Sequence, residues 1–231
     1  MALLNKIKQP STNTNTDANF DLVVFDLDGV LIDSLEVMET AFFRAFDIIN
    51  KDNKLPRPLF SEYKKHLGLG FPRIMELMNL PIEMHPHFKE QSNRLMDKIR
   101  IFPGVVDMCQ SLQAAGVKMT IATGKDGVRA RKVLQHLKLD TYFSLILGSD
   151  EVVNPKPGPD MIFRGMEHNG ITDKSRVLMC GDAIADLQSG RAAGVKILSV
   201  SWGEGKPEQL QAFNPDYFVD SPGSLTEAVL L

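Results

Sequence analysis

The chain has 231 residues, and 43% of them are hydrophobic, which is enough for one ordinary core and a small second domain. The formal net charge is −3, from 26 basic and 29 acidic residues. That balance gives no reason to expect a nucleic-acid partner. No apolar run approaches the roughly 18 to 20 residues that a membrane helix needs. The two cysteines, Cys109 and Cys180, lie in apolar segments, which favours buried thiols and a reducing, cytoplasmic location over a disulfide.

Residues 1–19 are mostly Asn, Thr, Lys and Gln. A segment with so little to bury predicts a disordered or loosely attached tail. It also lacks the continuous apolar stretch of a secretory signal. The first strong element is the apolar run Val23, Val24 and Phe25, which is typical of a strand buried on both faces of a parallel sheet.

A helical segment is predicted next, over residues 34–100. Apolar residues from Leu35 to Ile49 follow helical spacing, and Asp33 with Glu36 predicts the N-terminal cap of this helix. Further helices are expected over 59–67, 72–79 and 85–99, with Pro72 in a first turn. We therefore expect a small all-helical domain inserted after the first strand.

After Phe102-Pro103-Gly104 the pattern alternates between strand and helix. Strands are predicted at 117–122, 142–147, 177–180, 195–200 and 217–219. Helices are predicted up to Ala115, over 126–137, 159–168 and 184–193, and at the C-terminus. This alternation predicts an α/β fold with a doubly wound parallel sheet, formed by residues 20–33 and 101–231.

Polar residues cluster where these strands end. Asp26 and Asp28 follow the first strand, Thr123 ends another, Lys156 lies in the loop after a third, and Asp182 and Asp186 follow a fourth. Ligands of such sheets bind beyond the carboxyl ends of the strands, near a switch point in strand order. We therefore expect these side chains to converge on one crevice.

The pair Asp26 and Asp28 can do two kinds of chemistry. A carboxylate can attack phosphorus, and its neighbour can protonate the leaving oxygen and then deprotonate water. Gly29 permits a sharp turn and a close backbone approach. An Asx turn ending the strand is the alternative, and the preceding apolar run and the other polar clusters favour the catalytic interpretation.

Thr123, Gly124 and Lys156 are candidate phosphoryl binders. A hydroxyl and backbone N–H groups beside a helix N-terminus suit an anion, although Thr123 alone could be a plain turn or cap residue. Lys156 stands between Pro155 and Pro157, which stiffen its loop, so its ammonium could neutralise a carboxylate and a phosphoryl group. A solvated surface lysine is the ordinary alternative.

Asp182 and Asp186 offer the oxygen ligands that Mg²⁺ prefers, although acids at a helix start also complement its dipole. Arg73, in the helical segment, could contact a substrate anion. A surface arginine beside a turn is an equal alternative.

The four polar clusters in this order resemble the haloacid dehalogenase (HAD) superfamily, and the helical insert resembles its class I cap. Within it, the chain is similar to the phosphoglycolate-phosphatase-like branch. The stretches GVLIDS, EYKKHLG, FPRIM, IATGK and GSDEVVNPKPGPD are especially similar to phosphatases associated with 3-amino-5-hydroxybenzoate biosynthesis.

The resemblance implies a role for each motif residue. Asp26 would be the nucleophile and Asp28 the acid/base, while Thr123 and Lys156 would bind the phosphoryl group. Asp26, the backbone carbonyl of Asp28 and Asp182 would hold Mg²⁺, with Asp186 supporting through water. The implied substrate is a small phosphorylated metabolite, such as a sugar, amino-sugar or glycolate phosphate.

Other functions remain open at this point. A sugar phosphomutase of the same superfamily is the first alternative, since its start resembles DLDGV and LIDS. A non-catalytic binding protein is a second, although it would be expected to have lost one of the motifs. A dehalogenase is disfavoured because such relatives lack an acid at the position of Asp28. A phosphonate-cleaving hydrolase is disfavoured because no matching lysine motif occurs. The oligomeric state and the exact substrate are not predicted.

Overall fold

The computed structural model describes residues 18–231. Its strands are β1 (Leu22–Phe25), β2 (Ile32–Asp33), β3 (Arg100–Ile101), β4 (Lys118–Thr123), β5 (Leu145–Gly148), β6 (Val177–Gly181), β7 (Lys196–Val200) and β8 (Tyr217–Val219). Its α-helices are α1 (Leu35–Ile49), α2 (Phe60–Lys64), α3 (Phe71–Leu77), α4 (Met84–Arg94), α5 (Val105–Ala114), α6 (Gly127–His136), α7 (Asp160–Asn169), α8 (Ile184–Ala193), α9 (Pro207–Ala212) and α10 (Pro222–Leu230). Short 3-10 turns lie at Met96–Lys98, Asp140–Tyr142 and Lys174–Arg176.

Six strands form one parallel sheet in the order β5-β4-β1-β6-β7-β8. The chain builds outward from β1 through β4 to β5, and then returns to the other side of β1 with β6. The switch in strand order therefore lies at β1, between β4 and β6. The predicted α/β class with a doubly wound parallel sheet is confirmed.

Side chains on successive residues of β1 enter two different apolar layers. Val23 and Phe25 belong to a cluster with residues of α5, α6 and α10, whereas Leu22 and Val24 belong to a cluster with residues of α7. Both layers are buried, which explains why this strand is a continuous apolar run rather than an alternating one. The sheet is thus covered by helices on both faces.

The helices between β2 and β3 carry an apolar cluster of their own. It joins α1 to α4 through Phe42, Phe46, Phe60, Tyr63, Phe71, Ile74, Met75, Met84 and Phe88. The antiparallel pair β2–β3, where the chain leaves and re-enters the sheet domain, was not predicted. These features favour the predicted division into a core and a helical cap, which stays a prediction.

Several predicted boundaries move by one to five residues. The largest change is in the fourth cap helix, which ends at Arg94 and not at residue 99, because Met96–Lys98 turn as a 3-10 helix. Helix α9 was not predicted.

The predicted tail, residues 1–19, lies outside the described residues apart from Ala18 and Asn19. Ala18 is buried, and the N–H of Asn19 donates to the carbonyl of Val229. Within the described range, no helix has both the length and the apolar character needed to cross a bilayer.

Candidate active site

Asp26 follows directly after β1, at the switch point of the sheet. Its N–H donates to the carbonyl of Cys180 at 2.8 Å, which fixes the residue against β6. Thr123 ends β4 on one side of it, and Asp182 follows β6 on the other. The parallel strands therefore bring these three predicted site residues to one edge of the sheet.

Three carboxylates meet at this edge. One oxygen from each of Asp26, Asp182 and Asp186 lies within 4.8 Å of the others, and all three residues are buried. The carboxylate of Asp186 also accepts from the N–H of Ala183 at 3.0 Å, across the first turn of α8. The backbone N–H of Glu204 donates to Asp182 Oδ2 at 2.7 Å.

Lys156 is buried against this cluster. Its Nζ lies 2.8 Å from Asp26 Oδ1 and 2.6 Å from Asp186 Oδ1. The lysine is therefore not the solvated surface residue of the alternative interpretation, because only 3% of it is exposed. Burial alone would lower the pKa of Lys156, but the carboxylates of Asp186 and Asp26 outweigh that effect and raise it.

The cluster has more negative than positive charge. Burial raises the pKa of Asp26 to about 7, against a lowering by Lys156 and with further raising by Asp186 and Asp28. Burial and the same neighbouring carboxylates also raise the pKa of Asp182 well above its ordinary value. One lysine does not balance three carboxylates, and hard oxygen ligands so arranged fit a small divalent cation.

Asp28 faces away from this cluster and towards a different set of partners. The hydroxyl of Ser34 donates a short hydrogen bond to Asp28 Oδ1, and Lys125 Nζ lies 3.1 Å from Asp28 Oδ2. Burial would raise the pKa of Asp28, but Lys125 and Ser34 outweigh burial and lower it. The side chain is thus held as an ionised carboxylate, outside the three-carboxylate cluster.

At two glycines predicted in the site, other parts of the chain lie too close to leave room for a side chain. Gly29 has φ +81°, and a Cβ there would lie 2.2 Å from Asp182 Oδ2. A Cβ at Gly124 would lie 2.5 Å from the carbonyl oxygen of Leu69, in the loop before α3. The first glycine lets the turn after β1 reach the carboxylates, and the second lets the helical segment close over β4.

A cavity of about 50 Å³ lies between the sheet edge and the helical segment. Its polar lining includes Asp26, Asp28, Thr123, Lys125, Arg129 and Asp182, and its opposite wall includes Tyr63, Phe71, Ile74 and Phe88. Lys156 is buried just behind it, in contact with Asp26. A phosphate ester placed here would contact both the sheet domain and the helices.

Arg73 does not line this cavity. Its guanidinium forms an ion pair with Glu76 on the same helix, and 57% of its side chain is exposed. Arg73 instead lines a neighbouring cavity together with Gly124, Arg129 and Lys156, so its role as a substrate contact stays a prediction. The arginine that borders the first cavity is Arg129, on α6.

The sequence interpretation missed Ser34, Lys125, Arg129 and the backbone N–H of Glu204. Lys125 directly follows Thr123-Gly124, so its place in the loop after β4 was a usable signal. The sequence contains no such signal for Arg129, because this residue belongs to a basic run that also includes the exposed Lys132. Only the fold distinguishes the two.

A family model described as haloacid dehalogenase-like hydrolase matches residues 23–200. The chain is 31% identical over 211 residues to a protein of Dickeya dadantii named probable phosphatase IndB, which covers 87% of this chain and 89% of that protein. It is 29% identical over 216 residues to pyrophosphatase PpaX of Halalkalibacterium halodurans, covering 90% and 95% of the two chains.

Two further comparisons agree with these. The phosphoglycolate phosphatase of Aquifex aeolicus is 26% identical over 215 residues, covering 89% of this chain and 95% of that one. The crystal structure of a hydrolase from Pseudomonas syringae superposes with a TM-score of 0.79 at 24% identity, covering 90% of this chain and 96% of that one. The latter likeness concerns the fold alone.

Proposed function

The chain belongs to the haloacid dehalogenase-like hydrolase family and is a phosphatase, and from this premise we propose that it hydrolyses a small phosphorylated metabolite with Mg²⁺ through an aspartyl phosphate on Asp26. The substrate class is a sugar, amino-sugar or glycolate phosphate. The observation that carries the proposal is the convergence of Asp26, Lys156 and Asp182 at the switch point of the sheet. We also propose a cytoplasmic location, since both cysteines are free and buried.

Asp26 is the proposed nucleophile. Its Oδ1 is held by Lys156 at 2.8 Å, which fixes the carboxylate and favours its ionised form. The other oxygen attacks phosphorus, a P–O bond to Asp26 forms, and the bond to the leaving oxygen breaks. Thr123 and the N–H groups of the loop that follows it bind the phosphoryl oxygens, helped by the N-terminus of α6.

Asp28 is the proposed acid and base. It gives a proton to the leaving oxygen, and later takes one from the water that attacks the aspartyl phosphate and restores Asp26. Lys125 and Ser34 hold Asp28 in its ionised form, which suits the second step. For the first step Asp28 must gain a proton, and the approach of a negatively charged phosphoryl group favours that protonation.

Asp26 and Asp182 would hold Mg²⁺, with Asp186 supporting through water, because three buried carboxylates face one another with an excess of negative charge. The backbone carbonyl of Asp28 stays a proposed further ligand. When bound, the ion would offset negative charge on the phosphoryl group. The same compensation would lower the pKa of Asp26, so that its carboxylate is ionised for attack.

We further propose that residues 34–100 act as a cap that closes over the substrate and excludes water. The aromatic wall of the cavity comes from this segment, whereas the phosphoryl-binding residues come from the sheet domain. Substrate choice would then depend on the residues where these two parts meet.

Phosphate release from a panel of phosphorylated metabolites, with p-nitrophenyl phosphate as the minimal substrate, tests the proposal. We expect turnover that chelators remove, and the variant Asp26→Asn should lose at least about 1,000-fold while keeping the wild-type melting temperature. Turnover by this variant near the wild-type rate would refute the aspartyl-phosphate mechanism. Conversion of a sugar phosphate into its isomer without release of phosphate would identify a mutase instead.

A further inference from the structure

Arg129 is a buried cation, and two of its guanidinium nitrogens have no hydrogen-bond acceptor among residues 18–231. The residue lies on α6, and only 6% of its surface is exposed. The two nitrogens are Nε and Nη1. Asp126 Oδ2 lies 2.7 Å from Nε and balances part of the charge, but it is not aligned to accept the N–H. Buried donors without acceptors are unfavourable, so this arrangement indicates a ligand.

The guanidinium borders the cavity that contains Asp26, Asp28 and Thr123. It packs at 5.1 Å from the centre of the Phe88 ring, on the cap side. Lys125 borders the same cavity, but its ammonium is already paired with Asp28. Arg129 is ion-paired with Asp126 through Nε, but its Nη1 is a donor left for a ligand, on the side of the cavity where the cap meets the sheet domain and away from the buried Lys156.

We propose that Arg129 binds a second anionic group of the substrate, so that the preferred substrates are small phosphate esters that also carry a carboxylate or a second phosphate. This inference rests on the proposed function. A planar guanidinium can form two parallel hydrogen bonds to either group. Such bonds would supply acceptors for the donors that the protein leaves unpaired. Arg129 is a specificity residue in this proposal, because it contacts the leaving group and not the phosphorus.

A matched pair of esters tests the proposal. Phosphoglycolate has a carboxylate where 2-hydroxyethyl phosphate has a neutral group of similar size. The measurement is the ratio of kcat/KM for the charged ester to that for the neutral one. We expect the wild-type ratio to exceed one, and Arg129→Met to lower it by about tenfold or more.

Two further variants complete the design. Lys132→Met removes the same charge from an exposed position on the same helix, and should leave the ratio unchanged. Arg129→Lys keeps the charge without the two parallel donors, and should lower the ratio by less than Arg129→Met does. If Arg129→Met does not fold, Arg129→Lys still provides the test. The charge is kept in this variant, so a lower ratio of kcat/KM for the charged ester to that for the neutral ester follows from the lost pair of parallel donors.

A purely structural role for Arg129, such as fixing the cap through Phe88, predicts a different result. Turnover of both esters, and of p-nitrophenyl phosphate, would then fall equally, and the ratio would stay constant. That result would overturn the proposal. A wild-type enzyme that favours the neutral ester would do the same.

Measuring ligand binding without turnover tests this inference separately from the proposed function. In the Asp26→Asn background, calorimetry of phosphoglycolate and of 2-hydroxyethyl phosphate measures recognition without turnover. Tighter binding of phosphoglycolate that is lost with Arg129→Met would support the role of Arg129 even if the wild-type protein released no phosphate. Equal affinities for both esters would overturn it, whatever the catalytic outcome.

Discussion

Asp182 and Asp186 both belong to the carboxylate cluster, but they differ in the hydrogen bonds that their oxygens accept. Both oxygens of Asp186 accept hydrogen bonds, from Lys156 at 2.6 Å and from the N–H of Ala183 at 3.0 Å. Asp182 accepts a backbone hydrogen bond at Oδ2 from Glu204. The direct role in holding a cation therefore suits Asp182, whereas Asp186 positions Lys156 and the first turn of α8.

This difference predicts two kinds of kinetic defect. Asp182→Asn should raise the Mg²⁺ concentration for half-maximal activity by about tenfold or more, since a charged ligand is lost. Asp186→Asn should mainly lower kcat, because Lys156 is then paired with Asp26 alone and reduces its nucleophilicity. Titration of Mg²⁺ against phosphate release for both variants checks this. Equal shifts in Mg²⁺ requirement would contradict the assignment.

The two cysteines give a residue-scale prediction that is independent of catalysis. Burial raises the pKa of the Cys109 thiol to about 12 and that of Cys180 well above its ordinary value. The reactive thiolate is therefore scarce at pH 8. We expect a disulfide reagent such as DTNB to modify neither thiol in the folded protein and both after unfolding in guanidinium. Rapid modification of one thiol in the native state would contradict the burial.

At the residue scale, the sequence predicted which side chains would converge, because their positions relative to the strands can be read from the order of motifs along the chain. Asp26, Thr123, Lys156 and Asp182 each follow an apolar run, and parallel strands bring such ends together. The partners of Asp28 could not be predicted in this way. Ser34 reaches it from the end of a two-residue strand, and Lys125 from the loop after β4, so these contacts depend on side-chain direction and not on spacing.

Among the secondary-structure elements, β5 and α6 are joined in part by the carboxylate of Glu151. Glu151 accepts two hydrogen bonds from Arg131, at 2.9 and 3.0 Å, and one from the N–H of Gly148 at 2.9 Å. The Arg131 hydrogen bonds are the main cause that lowers the pKa of Glu151. This loop leads from β5 to Lys156, so the joint supports the site at a distance.

A lowered pKa in the folded state fixes the sign of the pH dependence. The stabilisation from Glu151 is fully present above its ordinary pKa of 4.5, and is lost as the pH falls through the lower, folded value. Glu151→Gln should therefore lower the melting temperature at pH 7 by about 2–4 °C, for a loss of about 1 kcal/mol. The difference should shrink in acid. Glu167→Gln, at an exposed site beside Arg164, is the control and should change little.

The start of α1 shows why element boundaries were harder to predict than elements. The predicted cap residue Asp33 instead lies in β2, paired with Arg100 of β3, and Ser34 is the first residue before the helix. The hydroxyl of Ser34 donates to Asp28 rather than capping the helix. A residue used by the active site was thus unavailable for the local role that the pattern predicted.

In the whole molecule, the helical segment 34–100 lies against the sheet domain across the cavity at the site. The cavity, about 50 Å³, has room for only a few water molecules, so we expect a sugar phosphate to require movement of the helical segment. Apolar residues of the segment, such as Val37 and Leu95, pack in the core of the sheet domain, and polar contacts add to them. Lys64 of α2 lies 3.9 Å from Glu204, and the loop before α3 rests on Gly124.

Gly124 is therefore expected to control closure. A methyl group at this position would lie 2.5 Å from the carbonyl oxygen of Leu69 and 2.7 Å from that of Gly68, so the cap loop has to move outward. In Gly124→Ala we expect amide hydrogen exchange across residues 60–77 to become about tenfold faster, which corresponds to about 1.4 kcal/mol lost from the closed state.

Gly223→Ala is the matched control, because a Cβ there meets its nearest atom only at 3.9 Å. It should leave exchange over residues 60–77 at the wild-type rate. Activity alone would not decide the question, since Gly124 also borders the phosphoryl site, and for this reason exchange is the primary measurement. Wild-type exchange rates in Gly124→Ala would mean that the loop yields locally and that cap closure does not depend on this contact. Faster exchange over 60–77, with unchanged rates in β1 and β4, would show that α2 and α3 open over an intact sheet.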